Sequence, residues 1–142
     1  MVKYTVNRVE TTEVFQMINI TEEVHRFVEE SGITNGIVYI ISHHTTTAIL
    51  VNEALPCVEK DIENLFEKLV PTHDPYVHTH MLPTYGTCSG NGPGHLKSVL
   101  GGYFGILPVI GGKVAGGAAQ DIYFTEMDGL QIRRYTIMVM GE

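Results

Sequence analysis

Five consecutive apolar residues, Ile37-Val38-Tyr39-Ile40-Ile41, limit what this chain can fold into. Strand side chains alternate between two faces, so a run with no polar position predicts a strand covered on both sides. Such a strand belongs in a layered domain. At 142 residues the chain suits one domain over 1–142, long enough to bury roughly two-thirds of its unfolded surface. Segments rich in β-branched and aromatic residues predict further strands at Tyr4–Val9, Val14–Ile20, Ala48–Val51, Phe104–Ile110, Asp121–Glu126 and Arg133–Met140.

Two main helices separate the strands. Thr21 is predicted to cap the first, with Glu22 and Glu23 at the positive end of its dipole. Val24, Phe27 and Val28 form its buried face, and Gly32 stops it. The second begins at Pro56, carries an apolar stripe of Val58, Ile62, Leu65, Phe66 and Leu69, and ends before Pro71. Asp61 falls beside that stripe, which predicts partial burial and a partner. A turn-rich stretch runs from Pro71 to Gly94, then a short helix over His95–Leu100. The expected class is α+β, with a β-sandwich-like core of about seven strands.

Charge excludes some functions. Nine Lys and Arg against sixteen Asp and Glu give a net charge of −7, which argues against nucleic-acid and acidic-membrane partners. Cys57 and Cys88 form no C-x-x-C pair, so a cysteine zinc ribbon is excluded. The start, Met1 to Arg8, lacks an apolar signal core, and no apolar run approaches the roughly 20 residues of a membrane span. A cytoplasmic location is expected.

Candidate chemistry centres on three histidine-bearing segments: His43-His44-Thr45-Thr46-Thr47, Tyr76-Val77-His78-Thr79-His80 and Asn91-Gly92-Pro93-Gly94-His95. His44, His78 and His95 would suit zinc, which takes three neutral imidazoles and leaves a position open. Their separations match no short metal motif, so three unrelated loop histidines remain the alternative. His43 and His44, as strand neighbours, should face opposite ways. His80 is a reserve candidate.

The turn Asn91-Gly92-Pro93-Gly94 feeds a helix N-terminus, where free amides favour phosphate; Lys97, Thr45 and Thr46 could assist. An ordinary turn and the β preference of threonine are the commoner explanations of these residues. Glu53 could act as a base or steady an imidazole, Gln120 could orient substrate, and Glu126 and Asp128 end a strand where turn chemistry alone favours them.

Taken in order, His44-Thr45-Thr46-Thr47-Ala48-Ile49, Val51-Asn52-Glu53, Pro56-Cys57-Val58, Asp61, Tyr76-x-His78, Asn91-Gly92-x-x-His95-Leu96-Lys97-Ser98, Gln120-Asp121-Ile122-Tyr123, Glu126-x-Asp128-Gly129 and Gly141-Glu142 resemble the YjbQ family over nearly the whole chain. The resemblance implies an α+β fold with a β-sandwich core, a homotrimer, and a histidine-lined pocket holding a metal ion on His44, His78 and His95. It also implies a secondary thiamine-phosphate synthase activity. That reaction joins a hydroxymethylpyrimidine diphosphate to a thiazole phosphate and releases pyrophosphate. The divalent ion would be zinc, or magnesium with the diphosphate substrate.

The candidate catalytic set is Glu53, His95, Gln120 and Glu126. The candidate phosphate-binding set is Thr45, Thr46, Asn91, Gly92 and Lys97. A metal-dependent phosphoester hydrolase and a non-catalytic trimeric protein binding metal or a phosphorylated ligand are the alternatives.

The chain departs from the family pattern in four places. Gly116-Gly117-Ala118-Ala119-Gln120 stands where Leu-Gly-Thr-Trp-Gln is usual, so a large packing surface is missing. Pro93-Gly94 replaces an acidic-alanine pair, and Gly129-Leu130-Gln131 replaces Gly-Pro-Arg. The Met81–Gly90 stretch is longer than usual.

Overall fold

The computed structural model describes residues 1–79, 81–82, 86–87 and 90–142, with only the backbone of 79, 81, 82, 86 and 87. In chain order the elements begin with β1 (Val2–Glu10), β2 (Gln16–Asn19), α1 (Thr21–Ser31), β3 (Asn35–Ser42), β4 (Thr47–Asn52) and α2 (Pro56–Leu69). A 3-10 turn (Val77–Thr79), β5 (Met81–Leu82), β6 (Gly86–Thr87) and α3 (Gly92–Gly101) come next. The chain closes with β7 (Phe104–Ile110), β8 (Lys113–Val114), β9 (Asp121–Glu126) and β10 (Ile132–Gly141).

Eight strands build two antiparallel sheets, ordered β1-β10-β3-β7-β8 and β2-β9-β4, and β5 pairs with β6 separately. The class is α+β. The inner face of the larger sheet, with Val38, Ile40, Leu107, Val109, Ile137 and Val139, packs on Ile49, Ile122 and Phe124 of the smaller one. Val24 and Val28 of α1 join the same core. On the other side of the smaller sheet, Phe66 of α2 packs with Ala48 and Met127. A Cβ on Gly101 would stand 2.6 Å from the Ala48 Cβ, so glycine lets α3 lie close on β4.

Several local expectations change. Thr21 does not cap α1: its hydroxyl donates to Asn19 Oδ1 at 2.6 Å and accepts the Ile122 N–H at 2.9 Å, tying α1 to β9. Gly32 stops α1 as expected, in the left-handed conformation at φ 72°. The α2 stripe is only partly buried, because the helix touches the core through Phe66 and Ile62 while Leu65 and Leu69 stay exposed. Asp61 is exposed too.

The apolar run of β3 has one covered face. Its other face lies in a grid of aligned residues, Tyr4–Met138–Tyr39–Ile106 in one row and Val2–Met140–Ile37–Pro108 in the next. Ile37 and Ile106 are 40% and 48% exposed, so this chain alone leaves that face open to solvent. Among the described residues no helix is long and apolar enough to cross a membrane.

Candidate functional site

The site is built outward from a buried ion pair. Glu126, the last residue of β9, is fully buried and accepts Arg133 Nε at 2.8 Å and Nη2 at 2.6 Å. Thr11 Oγ1 donates to the same carboxylate at 2.8 Å, and the Met127 and Asp128 amides donate at 3.0 and 3.1 Å. Arg133 Nη2 also donates to Thr46 Oγ1 at 2.7 Å. Burial alone would raise the Glu126 carboxyl, but bonds from Arg133, Thr11 and Asp128 outweigh it and hold it below the usual carboxylate range. Glu126 is therefore a brace that fixes the Met127–Asp128 turn.

That turn receives the start of α3. A Cβ on Gly94 would lie 2.9 Å from the Met127 carbonyl oxygen and 3.1 Å from the Asp128 Cβ, so only glycine lets the helix sit there. The helix begins at Gly92 rather than His95, because Pro93 suits its first turn.

A hydrogen-bonded chain leads from the turn to a cavity. Asn91 Nδ2 donates to Asp128 Oδ2 at 2.9 Å, and Asn91 Oδ1 meets His78 Nε2 at 2.7 Å. The His78 and His95 rings stand at right angles with centroids 5.0 Å apart. Tyr76, Val77, His78, Gly92, His95 and Leu96 line a cavity of about 520 Å³. Tyr76 is anchored by its hydroxyl, which donates to the Pro71 carbonyl at 2.6 Å.

Other candidates lie elsewhere. His44 Nε2 accepts the Arg134 N–H at 2.8 Å. Burial first, then the neighbouring Arg133 and His43, hold its pKa below the ordinary value. His43 and His44 lie just past β3, where strand alternation ends, and both line a second cleft of about 560 Å³ with Thr45, Ser98 and Tyr103. That cleft borders the C-terminal half of α3; the His78–His95 cavity borders its N-terminal half.

Thr46 is buried against Arg133. Lys97 is nearly buried and pairs with Glu67 at 3.0 Å. Glu53 follows the far end of β4, about 17 Å along the strand from Thr47 at ordinary strand rise. Gln120 is exposed at that same end of the sheet, its Oε1 accepting the Gly117 N–H at 2.7 Å. His80 lies outside the described residues.

Two imidazoles, His78 and His95, thus share one cavity, and both are donor types suited to a divalent ion. Among the described residues, however, no three His, Cys, Asp or Glu side chains gather as a metal set. The sequence reading passes over Arg133 and Thr11, because both sit in or beside strand-forming segments with no local pattern. Asp128 reads there as a turn residue; only the Glu126-x-Asp128 spacing hints that one carboxylate holds the other's backbone.

Fold and site together define an α+β two-sheet protein with a histidine-bearing cavity at the foot of a short helix. The model of the UPF0047 protein YjbQ-like family matches residues 5–142, and the chain belongs to that family. It is 38% identical over 136 residues to the UPF0047 protein YugU of Bacillus subtilis, covering 94% of this chain and 96% of that protein. It is 37% identical over 127 residues to a UPF0047 protein of Methanothermobacter thermautotrophicus, covering 89% and 84%. A YbjQ-like protein of unknown function from Sulfolobus solfataricus P2 has the same fold, with a TM-score of 0.93 at 30% identity, covering 100% of this chain and 99% of that one.

Proposed function

We propose that this chain is a thiamine-phosphate synthase of the secondary type, joining a hydroxymethylpyrimidine diphosphate to a thiazole phosphate in the cytoplasm. The observation that supports this reading is the convergence of His78, His95 and the first turn of α3 on one cavity of about 520 Å³. Pyrophosphate departure builds negative charge on oxygen. The positive end of a ten-residue helix opposes that charge. A divalent cation, when bound, supplies further neutralisation of the diphosphate. His78 and His95 would hold it. His44 would join them if a neighbouring copy brought it to the cavity.

The homotrimer is part of the same proposal. Its support is the open face of the larger sheet, where Tyr4, Tyr39, Ile106, Ile37 and Met140 would be buried between copies. Glu53 and Gln120 take part in the chemistry only if another copy carries them to the cavity.

Their separation from His78 and His95 within one chain favours a second reading, ligand binding without turnover. Thiamine monophosphate formation by the metal-loaded protein, beside a folded His95→Ala variant, tests the proposal. Product from the parent and none from the variant supports it. Equal product from both, or none from either, overturns it.

A further inference from the structure

Asn91 links Asp128 to a histidine that the carboxylate does not touch. A carboxylate offers acceptors only, so the end of the Asn91 amide facing Asp128, 2.9 Å away, must be the NH₂ group. The carbonyl oxygen then faces His78 Nε2 at 2.7 Å, and an oxygen accepts only. His78 Nε2 must therefore carry hydrogen, and the neutral ring keeps its lone pair on Nδ1. Among the described residues no hydrogen bond reaches that Nδ1.

We infer that Asp128 is the positioning residue of this cavity, holding His78 as the Nε2–H tautomer so that Nδ1 is the nitrogen offered to an electrophile, a proton or a metal ion. Which nitrogen of a histidine is free to ligate follows from the bond its other nitrogen makes.

The support beneath Asp128 makes the arrangement rigid. Its amide is held by Glu126 at 3.1 Å, its Cβ packs where Gly94 leaves room, and Glu126 is clasped by buried Arg133. The sequence Arg133, Glu126, Asp128, Asn91, His78 is a continuous path from the interior to the cavity wall. Asn91 thereby acts as an orienting group for His78 in addition to any contact with phosphate. The tautomer follows from hydrogen bonding alone; only its use by a ligand rests on the function proposed above.

Long-range ¹H–¹⁵N correlation of ¹⁵N-histidine-labelled, metal-free protein, at a pH where the rings are neutral, reads the tautomers directly. His44 serves as the internal control, because its Nε2 accepts the Arg134 N–H and its hydrogen must lie on Nδ1. The parent should show His78 as Nε2–H and His44 as Nδ1–H. In Asp128→Ala, His78 should become a mixture of tautomers while His44 keeps its signature.

Asp128→Asn preserves the shape but not the obligate acceptor, and it should give the same mixture if the alanine variant does not fold. A parent His78 in the Nδ1–H form, or an unchanged Nε2–H form in a folded Asp128 variant, overturns the inference. None of these readings depends on thiamine-phosphate chemistry.

Discussion

Arg133 grips Glu126 with two nitrogens, Nε on Oε1 at 2.8 Å and Nη2 on Oε2 at 2.6 Å, and neither side chain is more than 8% exposed. This pair belongs to the site because Glu126 also fixes the amide of Asp128. Breaking it one-sidedly leaves a buried charge. Arg133→Met should cost about 3–5 kcal/mol, read from urea unfolding. A second change, Glu126→Leu, should recover part of that loss without restoring the Asn91–Asp128 contact.

Acid should weaken the fold through two carboxyls. Glu126 is held below its ordinary value by its donors despite burial. The Glu67 carboxyl falls from 4.5 to about 2, first through the backbone and hydroxyl hydrogen bonds of Thr72 and then through Lys97. Both are depressed on folding, so their stabilisation is complete above the unfolded pKa and fades as pH falls through the folded one. For Glu67 the window runs from 4.5 down to about 2. Thermal unfolding of Glu67→Gln across that range should show a shallower acid decline than the parent; an identical slope contradicts the assignment.

Gly94 is a tighter constraint than its place near the start of a helix would suggest. Gly94→Ala puts a methyl 2.9 Å from the Met127 carbonyl oxygen, a backbone atom that cannot swing aside. Overpacking of this kind costs about 1–3 kcal/mol. The same change should push α3 off the turn and loosen the Asn91–Asp128 bond. Calorimetry should show the lower melting temperature, and the Asn91 side-chain amide resonances should shift.

The open face of the larger sheet predicts assembly. Tyr39 and Ile106 are paired in register near its middle, and a charge at either would have to be buried in an oligomer. Tyr39→Glu or Ile106→Lys should convert a trimer to monomer in analytical ultracentrifugation, with the fold retained by circular dichroism. A monomeric parent would contradict the assembly.

Much of the fold was legible because its signals are local. Ile37–Ile41 reads as a strand from composition, and Gly32 and Pro71 bound α1 and α2 by backbone restrictions that act without tertiary context. The stripe of α2 misleads because periodicity marks an apolar side without saying how much of it is covered, and Leu65 and Leu69 stay exposed. The first turn of α3 lay hidden because Gly92 and Gly94 are poor helix formers whose value is close approach to another segment. The histidine-bearing segments offer His44, His78 and His95 as candidates without showing that His44 lies apart from the other two, because the path of the chain past β3 decides that. Asp128 needed the structure, since its role runs through Asn91 from a segment 37 residues away.

Ligand is expected to enter the cavity of His78 and His95 rather than the cleft of His43 and His44. Backbone amide chemical-shift mapping during titration with thiamine monophosphate and magnesium decides between them. Shifts should concentrate at 76–78, 91–96 and 128, with little change at 42–45 and 98–103. Shifts confined to that second group, or none at all, would contradict that expectation.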